Sequence, residues 1–173
     1  MREALAQLAA EGLIDMPPNR PKRVAPLTRR KTREQLAVFQ LLSLAGYEWG
    51  LARLPQQDLQ DLHAANAVLT EAISQGDVPT AHLASLTFHD VIIRAGGNRE
   101  LRRILAANMP WVKRLTLLCF PRGTLKLGFE RNFEILAAIE RGELQSAMEL
   151  FRQAQDQFRQ AVEALPEDSW QNS

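Results

Sequence analysis

The chain has little of what builds special chemistry. One cysteine, Cys119, stands alone, so no internal disulfide can form, and the composition fits a reducing compartment. No apolar run approaches the ~18 residues that a membrane-spanning helix needs, and the N-terminus does not read as a signal peptide. The expectation is a soluble, cytoplasmic protein. A Gly-rich phosphate loop, zinc-ligand spacing and a nucleophile elbow are all missing, as is a carboxylate pair flanked by histidine at meaningful spacing. Enzyme classes are excluded on that ground.

Net charge is also small, +1 over 173 residues, but it is unevenly spread. Residues 1–33 hold eight lysines and arginines against three acids, a net of +5, which leaves −4 for the remainder. A basic head on a mildly acidic body suits contact with a polyanion. Hydrophobic residues make up 46% of the chain and charged residues 24%, enough to build a folded core.

Nearly every long segment follows a helical period. Residues 2–11 place Leu5 and Leu8 on one face, and Gly12 supplies the stop. Residues 13–16 and 22–25 are short strand-like pieces around a Pro/Asn turn, which predicts a hairpin or wing. Six helices follow, over 32–53, 56–75, 79–95, 99–119, 124–141 and 143–165. Gly76, Gly96-Gly97, Pro121-Arg122-Gly123, Gly142 and Pro166 punctuate them, Asn98 is a natural N-cap, and Pro110 predicts a kink. Ala72-Ile73-Ser74-Gln75-Gly76-Asp77 is echoed by Ala138-Ile139-Glu140-Arg141-Gly142-Glu143. Each puts Gly at a left-handed cap and an acid at the next helix start, the pattern of two similar hairpins in an antiparallel bundle.

The opening Arg2-Glu3-Ala4-Leu5, the Leu8-Ala9-Ala10-Glu11-Gly12-Leu13 finish and the basic turn before Val24-Ala25 resemble the recognition helix and wing of GntR-family transcription regulators. Phe88-His89, Ala95-Gly96-Gly97-Asn98 and Leu101 are similar to a segment of the all-helical effector domain of the FadR subgroup, known as the FCD domain. Ile135 to Ile139, Gly142-Glu143 and Ala147-Met148 resemble its last hairpin. The resemblance implies an all-α fold: a six-helix antiparallel effector bundle preceded by a partial winged helix-turn-helix. Residues 1–27 would be the DNA-binding head, 28–33 a linker, 34–166 the effector and dimerisation domain, and 167–173 a flexible tail. The chain starts within the recognition helix, so the expectation is a head short of its supporting helices.

From the same resemblance, Arg2, Arg20, Lys22 and Arg23 would contact DNA, and a small-molecule effector would occupy the bundle. The homodimer is expected because two-fold operators need two heads. Many members of the subgroup hold a divalent metal with one Asp and three His. The corresponding positions here are Ser85, His89, Asn132 and Ala154, and an effector-binding Arg corresponds to Gln40. The implied effector pocket is therefore Gln40, Ser85, His89 and Asn132, with no metal and no cofactor, unless Glu130 or Glu134 swings in as a replacement carboxylate. His89 could equally be a core histidine bonded to backbone. His63 and His82 read as ordinary surface, Cys119 as a buried inert thiol, Trp49 and Trp111 as core or dimer-interface residues, and Trp170 as an exposed tail residue. Arg29-Arg30-Lys31-x-Arg33 reads as a solvated linker that could touch phosphate beside a wing. The alternative function is a truncated effector-binding or dimerisation module without DNA binding of its own.

Overall fold

The computed structural model describes residues 2–10, 14–17, 21–119 and 126–170. Arg2–Ala10 form helix α1, while Ile14–Asp15 (β1) and Arg23–Val24 (β2) pair antiparallel with Ile14 opposite Val24. Asp15 faces Arg23 across this pair, and their charges close to 3.2 Å. The helix stop expected at Gly12 and the wing tip at 18–20, which includes Arg20, lie outside the described residues.

Six helices make the body: α2 (Arg29–Leu51), α3 (Asp58–Gln75), α4 (Val78–Ala95), α5 (Arg99–Cys119), α6 (Lys126–Glu140) and α7 (Leu144–Glu163). This is the all-α, six-helix architecture expected from the periodicity. The repeated helix ends are real: Gly76 and Gly142 take φ of +67° and +73°. The next amides, of Asp77 and Glu143, donate to the carbonyls of Ala72 and Ala138 at 2.8 and 2.9 Å. Asp77 then caps α4 by accepting from the Thr80 amide at 3.1 Å. Asn98 caps α5 the same way, accepting from the Leu101 amide at 2.9 Å. Pro110 lies inside α5, which stays helical on both sides of it. The chain break at 121–123 and the helix start at 124 lie outside the described residues.

Two expectations fail. Residues 28–33 are not a linker: Thr28 is the N-cap of α2, its hydroxyl accepting from the Lys31 amide at 3.4 Å, and the basic run forms the first turns. Ala25 and Leu27 are buried, and the Arg114 guanidinium on α5 donates to the Ala25 carbonyl at 2.7 Å. The head is thus tied to the body directly. Residues 167–170 do not fray either, because Trp170 has something to pack on. Glu167–Ser169 form a 3-10 turn, the Trp170 indole N–H donates to the Leu165 carbonyl, and its ring lies 5.5 Å from the Arg29 guanidinium carbon.

Helix α2 packs on α4, α5 and α7, α3 packs on α4 and α6, and α6 packs on α7. Tyr47, Phe88, Ile92, Leu115, Ile135 and Phe151 sit at the centre of the main core with almost no exposure. Among the described residues no helix is long and apolar enough to cross a membrane.

Candidate functional site

Helices α4, α5, α6 and α7 enclose a cavity of about 100 Å³. Helix α4 gives it His82, Ser85, Leu86 and His89, and α5 gives Val112 and Thr116. Phe129 comes from α6, and Phe151, Ala154, Gln155 and Phe158 come from α7. The spacing explains the arrangement. Residues 82, 85 and 89 stand at i, i+3 and i+7, one face of a helix, and so do 151, 154 and 158.

Of the four pocket residues that the resemblance implies, two line the cavity and two stand behind its wall. Ser85 and His89 line the cavity. Asn132 is fully buried just behind it, its amide donating to the Ser85 hydroxyl at 3.1 Å while its Oδ1 has no protein partner. Because Ser85 accepts that bond, its own proton is free to point into the cavity. Gln40 is not on the wall; its amide donates to the backbone carbonyl of Gln155, a wall residue, at 2.6 Å.

Sequence reasoning missed His82, Tyr47 and three phenylalanines. His82 is not surface: it is 8% exposed, lines the cavity, and its Nε2 has no protein partner. Its i, i+3 spacing to Ser85 was the available signal. Tyr47 on α2 is fully buried, its hydroxyl 3.3 Å from His89 Nδ1, and its ring stacks on Phe151 at 3.7 Å. Burial raises the Tyr47 phenol well above its ordinary pKa, so it stays protonated. With Tyr47 as donor, His89 keeps its proton on Nε2. Phe129, Phe151 and Phe158 supply the apolar wall.

Both histidines are held neutral. Burial is the main cause at each, reinforced by the Lys113 charge at His82 and by His82 itself at His89, and each pKa falls from 6.5 to about 4. The unfolded chain therefore binds more protons than the folded chain between these values. Stability is fully present above pH 6.5 and is lost as pH falls toward 4. Between pH 7 and 5.5 the pair should cost about 2 kcal/mol. Urea unfolding at the two pH values checks this, and His89→Gln should remove part of the difference.

The cavity does not suit the divalent metal that the family resemblance implies. Its donors are two imidazoles, two hydroxyls and the Gln155 carboxamide, with the Asn132 carboxamide behind them and no carboxylate or thiolate to offset the dehydration of a divalent cation. Glu130 is exposed, and Glu134 is exposed and paired with Arg131, so neither replaces the missing carboxylate. Among the described residues no group of three or more His, Cys, Asp or Glu could hold an ion.

The remaining singled-out residues are placed as follows. His63 is on the surface, paired with Glu140 at 2.8 Å, and Cys119 is buried. Trp111 is buried, whereas Trp49 is 42% exposed and outside the core. In the head, Lys22 is exposed and Arg23 is exposed and paired with Asp15. Arg2 opens α1, its side chain outside the described residues.

Residues 34–157 match the family model of the FCD domain. No curated protein matches the chain significantly. Among solved structures, McbR/YncC of E. coli aligns with a TM-score of 0.81 at 17% identity, over 94% of this chain and 83% of that one. Lar, which controls expression of the agr system of Listeria monocytogenes, aligns with a TM-score of 0.73 at 14% identity, over 95% and 80%. A Streptococcus agalactiae GntR protein aligns with a TM-score of 0.61 at 19% identity, over 92% and 80%. At these identities the solved structures show the shared fold. With the match covering 34–157, the chain belongs to the FCD domain family.

Proposed function

We propose that this chain is a ligand-responsive, DNA-binding transcriptional regulator. The bundle cavity takes a small-molecule effector against Ser85 and His89, with Asn132 and Gln40 bracing the wall, and the basic head meets DNA through Arg2, Arg20, Lys22 and Arg23. The observation that carries this reading is on α5. That one helix presents Val112 and Thr116 to the cavity and, two residues from each, Arg114 to the head. A ligand that shifts α5 changes the hold on Ala25, so occupancy biases one arrangement of the heads.

The cavity chemistry limits the effector. Neutral imidazoles, hydroxyls and three phenyl rings in about 100 Å³ fit a small uncharged molecule with an apolar part and one or two hydrogen-bonding groups. A metal-chelated hydroxy acid or dicarboxylate finds no ion to bind through. The cavity is also too small for a long acyl chain. Val38, Leu41 and Trp49 form an exposed apolar stripe on α2, 58%, 68% and 42% exposed, and suit pairing with a second copy.

Native mass spectrometry of the freshly purified chain tests assembly, metal and ligand together. The expected result is a dimer without stoichiometric zinc or nickel, carrying a small ligand that Ser85→Ala or His89→Gln weakens. A monomer with bound metal overturns the reading of the site. For the head, four cations that each neutralise a phosphate give a slope of log K against log salt of about −3.6 per protomer on a random duplex. A slope near zero with the effector still bound reduces the protein to a helical binding module.

A further inference from the structure

A second cavity, of about 240 Å³, lies away from the first, where the head joins the body. Its walls are the 26–28 segment, the first turns of α2 with Lys31, and α5 with Trp111 and Arg114. Among the described residues no carboxylate side chain lines it. Trp111 is 8% exposed, and its indole N–H is buried without a protein partner. An unmet buried donor is costly, so this group calls for an acceptor. Thr28, Thr32, Gln35 and Asn108 also line the cavity, and their hydroxyls and carboxamides can donate as well as accept. Lysine, arginine and indole N–H can only donate, and only one guanidinium nitrogen of Arg114 is committed, to the Ala25 carbonyl at 2.7 Å. The N-terminus of α2 adds its positive dipole end.

We propose that this cavity is a binding site for a small free oxyanion of the phosphate class, held by Lys31, Arg114 and the Trp111 indole. An acceptor-only ligand satisfies three donor-only groups at once, and its charge meets two cations. A neutral carbonyl compound would answer the indole and leave both cations unmatched. The depth of the indole N–H selects a free anion over a phosphate of the DNA backbone, which a duplex presents only at the rim. Once bound, the oxyanion joins α2, α5 and the 26–28 segment, and so fixes the junction through which the head is carried. This site is separate from the effector cavity and does not depend on the regulatory reading, because its titration uses inorganic phosphate and no effector.

The test is a calorimetric titration of the full chain with inorganic phosphate at constant ionic strength. The expected result is one saturable site per chain. Trp111→Phe, which keeps an aromatic ring and removes only the N–H donor, should weaken binding about tenfold, the scale of one hydrogen bond to a charged group. Lys31→Gln should weaken it by a similar factor, and because Lys31 is exposed its fold is not at stake if Trp111→Phe lowers stability. The absence of saturable binding, or equal binding by all three proteins, overturns the proposal. So does one-for-one displacement of phosphate by a short duplex, which would assign the site to the DNA backbone.

Discussion

Replacing Phe151 by alanine should lower stability by about 4 kcal/mol, in the range measured for deleting a fully buried phenyl ring. Phe151 is 1% exposed and packs against two aromatic rings, Tyr47 and His89. Its ring stacks on Tyr47 at 3.7 Å with 8° between planes, and lies 5.1 Å from the His89 ring. The loss includes these ring pairings as well as the buried area. For a chain of this size the thermal midpoint should fall by about 10 °C. Phe151→Leu keeps most of the volume and should cost about 1 kcal/mol. The alanine variant also enlarges the effector cavity, since Phe151 is one of its walls. Urea unfolding at pH 7 separates the two variants. A loss below about 1 kcal/mol for Phe151→Ala would show that α7 collapses into the space and that the wall is plastic.

Gly50→Ala should be nearly as damaging, although alanine is the better helix former by about 1 kcal/mol. Gly50 is inside α2 where that helix crosses α4. A Cβ there would lie 1.9 Å from the Ile92 carbonyl oxygen and 2.7 Å from its carbon. These are backbone atoms, so no rotamer change relieves the contact and the two helices must separate. The expected net loss is about 3 kcal/mol, the upper range of overpacking costs. Gly46→Ala, one turn earlier, is the control. Its Cβ would come 2.9 Å from Leu101 Cδ2 and 3.1 Å from Ile93 Cγ2, both side-chain ends that can give. It should cost about 1 kcal/mol or less. Equal losses for the two variants would mean that helix spacing at the crossing is not set by Gly50.

The helical body was legible in the sequence because its signals are local. Gly76 and Gly142 end helices through a left-handed residue and two hydrogen bonds within six residues, and Asp77 and Asn98 begin helices through their own side chains. Such contacts are complete within one or two turns of chain, so residue types alone specify them. The junction is equally local: Thr28 is a good N-cap, and the basic run behind it, whose charge suggests a solvated linker, forms the first turns of α2. Ser85, His89, Asn132 and Gln40 stand out only through family resemblance, since nothing in their own spacing distinguishes a cavity wall from a packed face.

What the sequence alone determined is therefore the set of helices and their ends. Only the tertiary structure decided which faces meet. His82 looks like a surface histidine until α5, α6 and α7 close over it and remove its water, which is also why it is neutral. Tyr47 carried no local signal, yet it supports His89 across 42 residues of chain. Gly50 is a weak helix former in sequence and a requirement in the fold, because Ile92 of another helix occupies the space of its missing Cβ. Burial, helix spacing and cavity shape arise between segments distant in sequence, and no local pattern encodes them.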